Sequence, residues 1–218
     1  MTSVRILIAD DHALIRRGAR ELLETQPGWK VVGEAANGRE AVEKSKRLKP
    51  DVVIVDLTMP DLNGIETTRQ VLQAVPETEV LVLTLHDSER MIRDALDAGA
   101  RGYVLKSDAE ASLIEAVDAV RQRRPFFTGK AEALLLDVYR QAERTGERQN
   151  ATQKKITPRE REIVQLVAEG RSNKEIASRL NLSLHTVVTH RSNVMRKLDV
   201  HSVTELVRYA IRNDMIKA

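Results

Sequence analysis

The sequence predicts an α/β domain built on a five-stranded parallel sheet, joined by a linker to an all-helical domain. Two patterns and one imbalance lead to that reading. Over residues 1–121 five short apolar runs alternate with stretches of helical period, and after residue 156 only helical periods follow. The charge divides in the same way. Residues 1–121 carry 16 Lys/Arg against 21 Asp/Glu, a net of −5, and residues 122–218 carry 19 against 11, a net of +8. An acidic half joined to a basic half suggests two domains, the second with an anionic partner.

The strands are read at Val4–Ala9, Trp29–Ala35, Val52–Val55, Glu79–Thr84 and Gly102–Leu105. The central ones are continuous apolar runs, as expected of strands covered on both faces. The first helix carries Leu14, Ile15, Ala19, Leu22 and Leu23 on one face, and others are read at 39–48, 65–74, 89–98 and 109–121. Strands and helices in strict alternation predict a parallel sheet with helices on both sides. An apolar helix-like piece, AEALLLDVYRQA, follows, and then TGERQNATQKK (residues 145–155), which has no apolar period and reads as an exposed linker.

Beyond the linker, Thr157 precedes Pro158, with Glu160 three residues on, which is a capping box with Pro at N1. It opens a helix at 158–169, stopped by Gly170. A second helix covers 173–180, a third capped by Ser183 covers 184–198, and a fourth is capped by Ser202 with Val203, Leu206, Val207, Ala210 and Ile211 on one face. The expected divisions are residues 1–123, a linker helix and flexible linker at 124–155, and a helical domain at 156–218.

The bulk properties narrow the field. With 218 residues, 42% hydrophobic content and 31% charge, the chain reads as soluble and globular. It has no apolar run of membrane-spanning length, so no membrane partner is expected. Asp10 and Asp11 come too soon after the first residue for a secretory segment. The absence of Cys excludes disulfides and thiolate metal sites and fits a cytoplasmic location.

The stretch VVIVDLTMPDLNG, residues 52–64, ends a buried strand on an acid. In open parallel sheets, ligands bind beyond the carboxyl ends of the strands, where strand order reverses. Strand one ends at Asp10 and Asp11, strand three at Asp56 and strand four at Thr84, and strand five is followed by Lys106. In a flavodoxin-like 2-1-3-4-5 order the acids converge on one side of Asp56, with Thr84 and Lys106 on the other. Clustered carboxylates repel one another unless a cation sits among them. Mg2+ takes oxygen ligands and commonly pairs carboxylates with a phosphate. Such a site suits phosphoryl transfer onto a carboxylate.

ADDH, VDLTMPDLNG, LTLH and GYVLKSD resemble the motif segments of response-regulator receiver domains, and the resemblance covers nearly all of residues 3–121. It implies that Asp56 is the phospho-acceptor. It further implies that Asp10, Asp11, Asp56 and the backbone carbonyl of Thr58 hold Mg2+, that Thr84 and Lys106 contact the phosphoryl group, and that Tyr103 is the aromatic switch. Ser107 stands where many receivers have Pro, so no cis peptide is assumed there. Two enzyme classes are rejected. A haloacid dehalogenase-type phosphatase needs a second Asp where Thr58 stands, and a flavin phosphate loop would be repelled by Asp10 and Asp11.

The third helix of the basic half has the shape of a recognition helix. At about 100° per residue, Leu184, Val187, Val194 and Leu198 form one face, and His185, Val188, Thr189, Ser192 and Arg196 form roughly the opposite one. The second set is suited to base edges in a major groove. Lys197, Thr157 and Ser183 join the expected DNA contacts, the last two at helix N-termini where phosphates dock. The segment from Thr157 to Leu198 resembles the LuxR-type helix-turn-helix of the NarL/FixJ group, over residues 156–211. That group commonly has Lys at the position of Val188, so base preference does not carry over.

The resulting expectation is a two-component response regulator. Its receiver would take phosphate on Asp56, with Mg2+, from a histidine kinase or small phosphodonor, and its four-helix helix-turn-helix domain would bind double-stranded DNA, as a homodimer when phosphorylated. It would be no enzyme beyond its own phosphorylation and dephosphorylation. The alternatives are a DNA-binding regulator controlled without phosphorylation, and a phosphohydrolase.

Overall fold

A computed structural model describes residues 3–129, 131–133 and 156–216. Strands β1 (Val4–Ala9), β2 (Trp29–Ala35), β3 (Val52–Val55), β4 (Glu79–Thr84), β5 (Gly102–Leu105) and β6 (Phe126–Phe127) form one sheet in the order β2-β1-β3-β4-β5-β6. Every pair is parallel. The expected five strands are six, because β6 pairs Phe126 with Gly102 and Phe127 with Tyr103. A two-residue strand after a Pro has too few residues to show a period. It forms because β5 would otherwise leave a row of unpaired peptide groups at the edge. Thr128 continues the cover, its N–H donating to Tyr103 O at 3.0 Å.

Helices α1 (Ala13–Leu23), α2 (Gly38–Leu48), α3 (Gly64–Ala74), α4 (Glu89–Asp97) and α5 (Ala109–Arg121) cover the two faces. Strand alternation sorts the core. Ile6, Ile8, Ile54, Leu81 and Val104 point to α1 and α5, where Ala19, Leu23, Leu113, Val117 and Val120 meet them. Leu7, Val53, Val55 and Val80 point the other way, to Ala41 and Val42 of α2 and Val71 of α3. Leu14, expected on the inner face of α1, is 80% exposed. The inward stripe runs through positions 15, 19, 22 and 23, and Leu14 lies about 100° off it.

The second unit holds α6 (Pro158–Ala168), α7 (Asn173–Leu180), α8 (Leu184–Leu198) and α9 (Val203–Arg212). Its starts are written in side chains. Thr157 with Glu160 and Ser172 with Glu175 form reciprocal capping boxes, and Ser183 and Ser202 accept from Thr186 N and Glu205 N. Asn181, at φ 52°, reverses the chain between α7 and α8. Ile163, Leu166, Ile176, Leu180, Val187, Val194, Leu206 and Ala210 make the core. Leu184, expected there, is half exposed and stands outside that core, in the first turn of α8. The expected linker at residues 145–155 and most of the preceding helix-like piece lie outside the described residues.

The two units touch. Helix α6 lies against the segment joining β3 to α3, and a small cleft between the units is lined by Leu57, Ile65 and Met91 on one side and Arg161, Asn213 and Met215 on the other.

Close approach of α2 and α3 yields a stability prediction. A Cβ on Gly38 would stand 2.1 Å from Thr67 Oγ1 and 2.2 Å from Leu62 O. Gly38→Ala should cost about 2 kcal/mol or more, measured as a lower urea midpoint with an unchanged m-value. A midpoint equal to wild type would mean that the loop before α3 yields freely.

Candidate functional site

The sheet register builds the site. β1 pairs with β3 so that Ala9 faces Val55, and the next residues on each strand, Asp10 and Asp56, emerge side by side. Their backbones are held by the ladder, with Asp56 N donating to Ala9 O at 2.8 Å and Asp10 N to Ala35 O at 3.1 Å. Both carboxyls are buried. On the other side of β3, Thr84 ends β4 opposite Leu105, which brings Lys106 to the same edge.

Lys106 closes the arrangement. Its ammonium lies 2.7 Å from Asp10 Oδ2 and 3.0 Å from Asp56 Oδ2. Burial works against the charged ammonium, but Asp10 and Asp56 outweigh it and hold Lys106 above the ordinary lysine range. Two buried acids alone would repel, and one cation between them removes that repulsion.

Asp10, Asp11, His12 and Asp56 bring one ligand atom each within 4.8 Å of one another. His12 is an addition that reading the sequence did not supply. Its Nδ1 lies 3.1 Å from Asp10 Oδ1 and 2.9 Å from Asp11 Oδ1, and its backbone N–H donates to Asp10 Oδ1 at 2.8 Å. The set offers carboxylate oxygens, which suit a hard, oxygen-seeking cation.

His86 is a second residue that sequence reasoning passed over, although it stands in the LTLH segment. Its ring Nε2 is 2.7 Å from Thr58 Oγ1, its N–H donates to Thr84 Oγ1 at 3.4 Å, and its carbonyl accepts from the Tyr103 hydroxyl at 2.8 Å. Thr58, Thr84 and Tyr103, widely separated in sequence, are thus joined through one residue. Tyr103 is fully inside, and burial pushes its hydroxyl above the ordinary tyrosine range.

In the helical unit, His185, Val188, Thr189, Ser192 and Arg196 are all exposed on the outward face of α8. Val188 is 44% exposed, so it is not packed under a neighbouring helix. Thr157 and Ser183 are exposed at the starts of α6 and α8. Lys197 differs. It turns inward to Glu160, 2.8 Å away, because that buried carboxylate of the capping box needs a cation.

The family models match a response regulator receiver domain over residues 6–118 and bacterial regulatory proteins of the luxR family over residues 154–210. The chain belongs to the response regulators that join these two domains. Relatives include the response regulator protein VraR of Staphylococcus aureus, 37% identical across 99% of this chain and 100% of VraR. The transcriptional regulatory protein DegU of Brevibacillus brevis is 36% identical across 98% of this chain and 95% of DegU. Among solved structures, RcsB from Salmonella enterica serovar Typhimurium, bound to promoter rprA in the presence of phosphomimetic BeF3-, is 28% identical with a TM-score of 0.62, covering 95% of this chain and 98% of that one. The group is NarL/FixJ, as the helix-turn-helix segment joined to a receiver had suggested.

For this response regulator the Lys106 pair sets a pH window. A folded pKa held above the unfolded value means that the ion pairs contribute fully at pH 7 and are lost only as pH rises through the folded value. Lys106→Ala should cost about 3 kcal/mol at pH 7, with the gap to wild type unchanged up to pH 9 in urea unfolding. A gap that closed within that interval would show that the carboxylates do not hold the ammonium charged.

Proposed function

We propose that this response regulator controls transcription by binding double-stranded DNA, and that phosphorylation of Asp56 switches it. The observation that carries the reading is the convergence of Asp10, Asp56 and Lys106 at the carboxyl edge of the sheet, in one chain with a helix-turn-helix whose outward face is open. A histidine kinase or a small acyl phosphate donates the phosphoryl group. An Asp56 carboxylate oxygen attacks phosphorus, the O–P bond forms, and the bond to the donor nitrogen or acyl oxygen breaks.

The residues present fit Mg2+, with Asp10, Asp11, Asp56 and the Thr58 carbonyl as its holders. When bound it neutralises charge on the transferring group. Lys106 exchanges its Asp56 contact for a phosphoryl oxygen. Thr84 then turns its hydroxyl toward the phosphoryl group, which releases the His86 backbone, and His86 passes the change to Tyr103. The chain is not a turnover enzyme on an external substrate. Among the described residues no helix is long and apolar enough to cross a membrane, in keeping with a cytoplasmic regulator. The half-exposed Val203 and Ile211 on α9 give phosphorylated chains an apolar surface for pairing as a homodimer on two half-sites.

A second reading, DNA binding without phosphorylation, is favoured by one feature: the reading face of α8 is already exposed. Asp56→Asn separates the two. It should abolish incorporation of phosphate from an acyl phosphate and, with it, the phosphodonor-dependent rise in DNA affinity. Incorporation at the wild-type level would refute Asp56 as acceptor. DNA binding indifferent to phosphodonor in wild type would favour the second reading.

Base reading has its own test. Val188 offers only apolar contact, suited to a thymine methyl, so Val188→Lys should shift preference at a single base position toward G, by roughly 1–3 kcal/mol. Arg196→Ala should instead weaken all sequences about equally and lower the salt slope by about one. Binding to a set of single-base operator variants decides both. An unchanged preference in Val188→Lys would remove Val188 from the readout.

A further inference from the structure

Gln165 is wholly buried, yet it is polar and lies on α6, in the DNA-binding half. Its amide is spent on the receiver. Oε1 accepts from Asn63 N at 2.9 Å, and Nε2 donates to Met59 O at 3.0 Å. Nε2 also donates to Glu169 Oε1 at 2.8 Å, and that oxygen accepts from Asp61 N at 3.0 Å. One side chain therefore holds both ends of the loop at residues 59–63, and its neighbour holds the middle. Asp61 sits there at φ 66°, its carboxylate paired with Arg179. Beside this contact Glu162, also buried, accepts from Arg39 at 3.2 Å and Gln70 at 2.9 Å.

The loop starts three residues after Asp56 and has no slack behind it. Gly64 N donates to Leu57 O at 2.8 Å. A Cβ on Gly64 would stand 2.1 Å from Asp56 O and 2.7 Å from Leu57 Cα. Displacing Asn63 moves Gly64, and Gly64 bears directly on the backbone of Asp56.

We infer that Gln165 is a positioning residue for the acid cluster, supplied to the receiver by the DNA-binding half. The inference rests on the reading of Asp56 and its neighbours as a phosphate- and cation-binding site. By ordering the loop before any ligand arrives, the docked half lowers the ordering cost of cation binding. Linkage is reciprocal, so an occupied cluster tightens docking by the same factor. This contact leaves the reading face free, because His185, Val188, Thr189, Ser192 and Arg196 stay exposed while the halves are docked. Switching then proceeds with the halves together rather than by release of a covered recognition helix.

The test uses the full chain and Mg2+ alone. Calorimetric titration should give Gln165→Ala and Arg179→Ala an Mg2+ affinity about fivefold or more below wild type, with unchanged far-UV circular dichroism. Both should take up phosphate from an acyl phosphate more slowly but to the same final stoichiometry. Arg179 is partly exposed and distant from the acids in sequence, so its variant decides the matter if Gln165→Ala does not fold. Wild-type affinity, or tighter binding, in folded variants would overturn the inference. A wild-type chain that bound no Mg2+ and took no phosphate would instead overturn the site reading on which it rests.

Discussion

Two buried carboxylates from neighbouring strands stand side by side at the carboxyl edge of the sheet, and one ammonium separates them. Charged carboxylates at Asp10 and Asp56 repel one another unless a cation lies between them, and Lys106 supplies it at 2.7 and 3.0 Å. The constraint runs outward from this point. The strand order must bring β1, β3 and β5 to one edge. The helices must cover both faces so that the edge stays largely dry. The loop after Asp56 must turn without intruding on the acids, and Gly64 makes that turn against the Asp56 carbonyl.

The same edge explains how distant groups report on it. His86 gathers Thr58, Thr84 and Tyr103 through its ring, its N–H and its carbonyl. The loop at residues 59–63 gathers the helical half through Gln165, Glu169 and Arg179. The acid cluster thus has one line of contact to the β4–α4 segment and another to α6. Most of these bonds end on a backbone group and lie inside or half inside the structure, and the Arg179–Asp61 pair at the rim is exposed.

Much of the architecture was legible because its signals are local. The five long strands have the bounds that their apolar runs suggested, and the starts of α6, α8 and α9 fall where Thr157, Ser183 and Ser202 can cap them. The acids at strand ends were legible through topology, since a parallel sheet must deliver its carboxyl ends to one edge. What was not legible depended on neighbours. Phe126–Phe127 becomes a strand only because β5 is there to pair with it. Leu14 and Leu184 are apolar by type but stay outside the cores, 80% and 46% exposed. Lys197 resembles a phosphate contact until Glu160 is placed beside it. His12 and His86 carry no spacing rule at all and gain meaning only from the groups they touch.

By itself the sequence determined two domains, a parallel sheet with three acids and a lysine at one edge, and a helix-turn-helix with a polar outward face. Periodicity, capping and charge are properties of adjacent residues, and they survive without coordinates. Only the tertiary structure decided how the two halves meet. Glu162 and Gln165 of α6 and its C-cap Glu169 are polar by type, and nothing in the sequence sets them apart. Glu162 and Gln165 are buried, and Glu169 with them contacts the receiver, because their receiver partners are peptide groups and side chains 92 to 123 residues away in the chain. Backbone hydrogen-bonding groups are the same in every residue, so no pattern of side chains marks which carbonyl or N–H a distant glutamine will find.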